Sequence, residues 1–232
     1  MRHFMWKSQM SKTNKQTSSA KKYLASFLSG YTSGIAGELF SAYQNNKFNS
    51  KGITHYSFKD NCIVSGTQQV AKDFVKATFI KNQQLNNLSK TNPLVFGALT
   101  GLPMVVLTQI IAKPLRNRHS FDKKPYDDLF KDVANEASYY TIKNGLDEYF
   151  GAKIYPTLLP KIDNIIVRKL VEGAVSGAIA GGSNLFACPM KSLISGQNIH
   201  EAYDMFIKST PKAAIKKIVY SAVTPKYIQL LK

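Results

Sequence analysis

The side chains able to do chemistry are few and poorly grouped. Four histidines, His3, His55, His119 and His200, lie far apart, so a metal site would need tertiary convergence that no local spacing announces. Cys62 and Cys188 match neither a disulfide framework nor a metal-ligand spacing, and they read as two inert thiols. Asp127-Asp128 and Asp147-Glu148 are adjacent carboxylates of the kind acid–base chemistry uses. Neighbours on a helix, however, point about 100° apart, so both pairs are expected to face solvent rather than to share a proton. No Walker A, G-x-G-x-x-G, H-E-x-x-H or C-x-x-C pattern occurs. The chain is therefore not read as an enzyme: no catalytic residue, no metal and no cofactor are expected.

What the elements must hold is set by the distribution of charge. The 232 residues are 44% hydrophobic and 19% charged, with a net charge of +17, which excludes a disordered or collagen-like chain. Charges avoid three windows: Tyr23 to Asn46, where Glu38 alone is charged, Thr91 to Ala112, and Gly173 to Met190. Lys22 and Lys47, Lys90 and Lys113, and Glu172 and Lys191 bracket them, as expected where segments leave a membrane. At about 1.5 Å per helical residue the second window reaches across a hydrocarbon core of roughly 30 Å. Ser, Thr and Asn dilute the other two, which fit buried helices of a soluble bundle as well as they fit spans.

The windows share a pattern, G-x-x-[ST]-G: Gly30, Ser33 and Gly34; Gly97, Thr100 and Gly101; Gly173, Ser176 and Gly177. Glycines four apart lie on one helix face and let another backbone approach, as in helix association within lipid. Three such motifs, each with a hydroxyl at the same place, read as an internal triplication. These six glycines are the expected helix-packing positions. A basic connection and a second, more amphipathic segment come after each window: Asp60 to Lys81, Ser138 to Ile162, and Pro211 to Leu231. Lys72, Asp73 and Lys76, then Lys143, Asp147 and Glu148, then Lys216 and Lys217 keep these second helices from facing lipid all round. Helical spacing within two connections predicts short surface helices at Tyr126 to Glu136 and His200 to Ile207.

Three tandem helix pairs joined by surface helices resemble the mitochondrial carrier family. Phe27-Leu-Ser-Gly-Tyr-Thr-Ser-Gly34 is similar to the family's first-helix opening, and Leu170 to Gly181 to its fifth. Tyr126 to Lys131 and Gly145 to Gly151 resemble its matrix helix and the aromatic-x-Gly of the next membrane helix; Thr210 to Lys226 has the cadence of the last helix. The resemblance covers about residue 21 to the C-terminus. It implies an all-α membrane fold, six transmembrane helices in a pseudo-threefold bundle with short surface helices. The chain then divides into a basic polar arm, 1–20, and repeats 21–90, 91–166 and 167–232.

The family's gate motif, P-x-[DE]-x-x-[KR], survives only in part. Pro189-Met-Lys191-Ser-Leu-Ile194 puts Lys at the acid position and Ile at the base position, which makes Pro189 and Lys191 a degenerate gate. Tyr43 to Lys47 has neither proline nor acid, and Pro114, Arg116 and Arg118 lack a carboxylate at the matching spacing. At the even helices Asp163 lacks its base and Tyr227-Ile-Gln has no acid. Alternating access needs two states, each held by its own contacts. With neither ion-pair ring, and with repeats shorter than the family's, the expected function is a non-transporting accessory subunit of a mitochondrial inner-membrane respiratory complex, cytochrome c oxidase or a supercomplex containing it.

The +17 charge suits nucleic acid, anionic lipid or an acidic protein surface. Nucleic acid would call for basic residues with interleaved aromatics, or a recognisable module; neither occurs, and no nucleic acid partner is expected. Cardiolipin fits better, since the resemblance puts it at helix N-termini, and Gly52, Tyr149 and Gly151 resemble such positions. From Met1 to Gly37 there is no acid, and Arg2, Lys7, Lys12, Lys15, Lys21 and Lys22 resemble a mitochondrial presequence in charge. Phe4, Met5 and Trp6 are the expected anchors of this arm on a partner subunit. Two other functions compete. A divergent working carrier would aim Lys76, Lys143 and Lys153 into a cavity; a soluble basic helical protein would bind RNA and release it in high salt.

Overall fold

The structure, a computed structural model, describes residues 19–44, 55–118, 122, 124–194, 196 and 198–231. Among the described residues it is all-helical. Helix α1 covers Ser19–Gln44, α2 His55–Lys81, α3 Gln83–Thr91, α4 Pro93–Asn117, α5 Leu129–Leu158, α6 Ile165–Ile194 and α7 Ile199–Leu230, with one 3-10 turn at Leu159–Lys161.

Asparagines start most of these helices. An N-cap oxygen accepts backbone N–H groups that the first turn cannot pair internally. Asn82 accepts from the N–H of Gln84 at 2.9 Å, Asn92 from Val95 at 3.2 Å, Asn164 from Val167 at 3.2 Å and Asn198 from Glu201 at 3.0 Å. Asn92 both ends α3 and begins α4, where Pro93 fits because its missing N–H would be unpaired there anyway. This capped nine-residue helix α3 falls where the sequence suggested only a connection. Conversely, the surface helices expected at Tyr126 to Glu136 and His200 to Ile207 are not separate elements. No Gly or Pro divides Glu136 from Ser138, so the first runs on as the opening turns of α5. Pro211 sits inside α7 without ending it.

The six long helices close into a ring. Each packs on its chain neighbour, α2 on α4 across the short α3, and α7 returns to α1. Contacts within the pairs α1–α2, α4–α5 and α6–α7 are the more extensive. Glycines lie on those seams. A methyl group at Gly30 would come within 2.8 Å of the Gly66 Cα, one at Gly97 within 2.3 Å of the Asn144 carbonyl oxygen, and one at Gly101 within 2.6 Å of the Thr141 Cα. The third pair is looser, with 3.1 Å from Gly177 to the Ala214 oxygen and 3.5 Å from Gly173 to Ile218. The motif hydroxyls turn back on their own helices: Ser33 donates to the Gly30 oxygen at 2.9 Å and Thr100 to the Gly97 oxygen at 2.7 Å. Ser176 instead meets the Tyr155 hydroxyl at 2.5 Å.

The ring is polar inside and apolar outside. Ser29, Thr100, Asn144, Ser183 and Asn184 are buried, and the buried apolar residues are mostly small: Ala25, Cys62, Ala71, Ala112, Ala180, Ala187 and Cys188. Large apolar side chains point away from the centre, with Leu99, Leu102 and Ile111 on α4 and Leu185 and Phe186 on α6 each about half exposed. Among the described residues, α4 alone is both long and apolar enough to cross a membrane by composition, with a mean hydropathy of 2.0. The other long helices have the length, 26 to 32 residues, but carry a polar inner face.

Candidate functional site: the polar interior of the ring

The interior is built in part from positions 72 residues apart. Lys72 and Asn144 are separated by 72 residues, as are Lys76 and Glu148, and the same interval again reaches Lys216 and Tyr220. Residues four apart share a helix face, so α2, α5 and α7 each present two such positions toward the centre. Helices α2 and α5 are not ring neighbours, since α4 lies between them. Their side chains nevertheless meet: the Lys76 ammonium pairs with Glu148, and Lys72 reaches Asp147 at 3.9 Å and the Asn144 Oδ1 at 3.5 Å.

Asp147 is the hub. Besides Lys72 it faces Lys143 at 3.4 Å, one turn earlier on α5, and accepts from Ser183 on α6 at 2.7 Å. Lys143 also donates to the Ala180 carbonyl at 3.2 Å, and Tyr139 donates to Asn184 at 2.8 Å, which ties α5 to α6. A second hub, Asp73 on α2, accepts from Ser26 at 2.6 Å, Gln69 at 3.1 Å and Tyr220 at 3.5 Å, joining α1, α2 and α7. Lys216 donates to Ser65 at 2.6 Å and Lys212 pairs with Glu38 at 2.7 Å. Three carboxylates, Asp147, Glu148 and Glu38, and the Ser65 hydroxyl thus hold lysines in a largely buried interior, where a lone charge would be far less stable than a paired one. Lys217 is the exception, with no hydrogen bond or ion pair among the described residues. Among the described residues the interior therefore keeps an excess of cations, Lys72, Lys76, Lys143, Lys212, Lys216 and Lys217 against Glu38, Asp73, Asp147 and Glu148.

A second layer of pairs lies where α4 and α6 end and α2 and α5 begin. Lys113 pairs with Asp132 at 2.6 Å, Lys191 with Glu136 at 2.7 Å, and Arg118 with Asp60. The absence of the gate motif suggested that this end would hold no ion pairs between helices. Among the described residues it holds three, made by carboxylates on the opening turns of the second helices rather than by acids placed after a proline. Lys191, which with Pro189 reads from the sequence as a degenerate gate, takes its partner from α5.

Other expected positions fall differently. Asp147 and Glu148 do not face solvent; their side chains are 10% and 26% exposed and each is paired with lysine. Asp127 and Asp128 are exposed. Gly151 lies inside α5, seven residues before its last residue, so no unpaired N–H groups of a helix start surround it, and the phosphate-holding geometry expected there is lacking. Tyr149 is partly exposed. Gly52 and Phe4, Met5 and Trp6 lie outside the described residues. Of the three lysines named for a carrier cavity, Lys76 and Lys143 are inside and Lys153 is exposed. Glu38, Ser183 and Asn184 were not singled out from sequence. The equal interval between Lys72 and Asn144 and between Lys76 and Glu148 was the signal that could have found the inner layer.

Among the described residues no group of three or more His, Cys, Asp or Glu could hold a metal. Comparison of the chain with models of known protein families, with curated proteins and with solved structures gives no match.

Proposed function

We propose that the chain is a carrier-like, six-helix protein of the mitochondrial inner membrane that serves as a fixed, non-transporting subunit of a respiratory assembly, with cytochrome c oxidase or a supercomplex containing it as the host. The observation that carries the reading is the inverted polarity of the ring: charge and hydroxyls within, large apolar side chains without. Water-soluble bundles are arranged the other way round, whereas helices in lipid put polar groups inward, where they find partners. A pseudo-threefold origin is supported by the glycine motif recurring on α1, α4 and α6 and by the 72-residue interval between the inner positions.

The non-transporting role rests on the cross-links. To open the ring from alternate sides, α2 and α5 would have to separate, and each separation breaks Lys76–Glu148 and strips Asp147 of Lys72. Breaking a buried pair is strongly unfavourable unless a second set of partners offsets it. A cross-braced bundle suits a wall between neighbouring subunits. The basic balance suits cardiolipin at its ends.

One observation favours a divergent carrier of an anionic solute instead: Lys217, an inward cation without a partner among the described residues. Reconstitution in vesicles separates the two. The scaffold reading expects no exchange of nucleotide, keto acid or phosphate above protein-free vesicles, together with co-migration with respiratory subunits in a mild-detergent native gel. Exchange at a carrier-like rate would overturn it. The RNA-binding reading is disfavoured by an outer surface of Leu, Ile and Phe where phosphate would need Lys and Arg. Retention in the membrane pellet after carbonate extraction is the expected result, and release by salt would contradict it.

A further inference from the structure

Where α4 and α6 end and α5 begins, a cavity of about 420 Å³ opens between them, with Gln109, Arg116, Lys131, Asn135 and Glu136 in its wall. A smaller recess of about 170 Å³ shares Gln109, Arg116 and Glu136 with it and is otherwise faced by Val64, Gln68, Met104, Val105, Thr108 and Tyr140, the apolar side chains of Val64, Met104 and Val105 forming one part of its wall. The acids at the cavity are already committed, Asp132 to Lys113 and Glu136 to Lys191. Arg116 and Lys131 make no hydrogen bond or ion pair among the described residues. Gln109 is only 5% exposed, yet its Oε1 has no hydrogen-bond partner among the described residues. An acceptor left bare in a protein interior is unfavourable unless something donates to it.

We propose that this end of the ring binds a small organic anion that carries an acid group, an adjacent hydroxyl or amine, and an apolar body. The carboxylate sits between Arg116 and Lys131, neither of which is in an ion pair with a described residue, while the nearby Asp132 and Glu136 are held by Lys113 and Lys191. The neighbouring O–H or N–H donates to Gln109 Oε1. The apolar body enters the recess against Met104, Val105 and Tyr140, where leaving water is favourable. Binding of this kind closes no gate and moves no solute, and it does not depend on the membrane reading above. It would report a metabolite's level to whatever contacts this end of the chain.

The test is isothermal titration of the full chain in detergent with three probes. Phenyllactate has all three features, 3-phenylpropanoate lacks the hydroxyl, and lactate lacks the ring. Phenyllactate is expected to bind at least about tenfold more tightly than either, the scale set by one unmet buried acceptor or by loss of the apolar body. Arg116→Gln and Lys131→Gln, both at side chains that brace no other described residue, should each weaken it about tenfold. Lys208→Gln, the same loss of charge at an exposed residue of α7, should leave it unchanged. No heat with phenyllactate, equal binding of lactate, or equal weakening by Lys208→Gln would each overturn the proposal.

Discussion

Alanine in place of Gly97 should weaken the protein clearly, while alanine in place of Gly173 should not. At Gly97 the new methyl would lie 2.3 Å from the Asn144 carbonyl oxygen and 2.8 Å from its carbonyl carbon. Both are backbone atoms of α5, so no side chain can rotate away, and the two helices must part by on the order of 1 Å to reach ordinary contact. Overpacking of this kind costs about 1–3 kcal/mol, against a helix-propensity gain for alanine of about 1 kcal/mol. The displacement also pulls on Asn144 and Glu148, which meet Lys72 and Lys76 across the interior. At Gly173 the nearest atoms are 3.5 Å away, an ordinary contact, and only the propensity gain remains. The propensity gain is common to both, so the two variants should differ by the overpacking cost, about 1–3 kcal/mol, or roughly 2–12 °C in thermal midpoint for a chain of this size. Cys62 and Cys188 are fully buried, so a thiol-reactive dye in detergent reports unfolding directly. Gly101→Ala should resemble Gly97→Ala. Equal midpoints for Gly97→Ala and Gly173→Ala, or a lower one for Gly173→Ala, would refute the reasoning.

The same geometry gives three further expected outcomes. Lys76→Gln or Glu148→Gln alone should destabilise by up to about 3 kcal/mol, scaled down because each side chain is about a quarter exposed, while the double variant should regain most of the loss; a thermal double-mutant cycle measures it. Leu102→Arg or Phe186→Arg, each placing a cation on the outer face, should lower recovery from the membrane fraction, at about 2.5–3.5 kcal/mol per charge near the bilayer centre, whereas Lys208→Glu should not. Lys191→Glu should set like charges against Glu136, part α5 from α6 at this end, and speed proteolysis in the adjoining connections relative to Lys191→Gln.

The long helices were legible because charge avoids apolar windows and because glycine recurs on one face. The ring's polarity was legible too, since Lys72, Lys76, Lys143 and Asp147 could not all face lipid. Pairing was not. Which carboxylate meets which lysine depends on two helices that are neither chain neighbours nor ring neighbours, and only the equal spacing of Lys72 with Asn144 and Lys76 with Glu148 marks it. The family motif misled in one respect, because it looks for an acid after proline, whereas Asp132 and Glu136 both reach over from α5, to Lys113 on the helix before it and to Lys191 on the helix after it. The expected surface helices failed for a local reason: periodicity locates helical faces but not their ends, and no breaker cuts 126–136 or 200–207 away from the longer helices α5 and α7. Helix α3 was announced by Asn82 and by Asn92-Pro93, cap signals that apolar counting passes over.

The most direct test of the central claim, a ring with lipid outside and charge within, is spin-label accessibility in bilayers. Single cysteines at Leu39, Phe74, Leu102, Leu185 and Ile218, in a chain with Cys62 and Cys188 replaced by alanine, would each carry a nitroxide on the outer surface. The account predicts relaxation by oxygen and protection from a water-soluble nickel chelate at all five. Strong relaxation by the nickel chelate at these positions would contradict it.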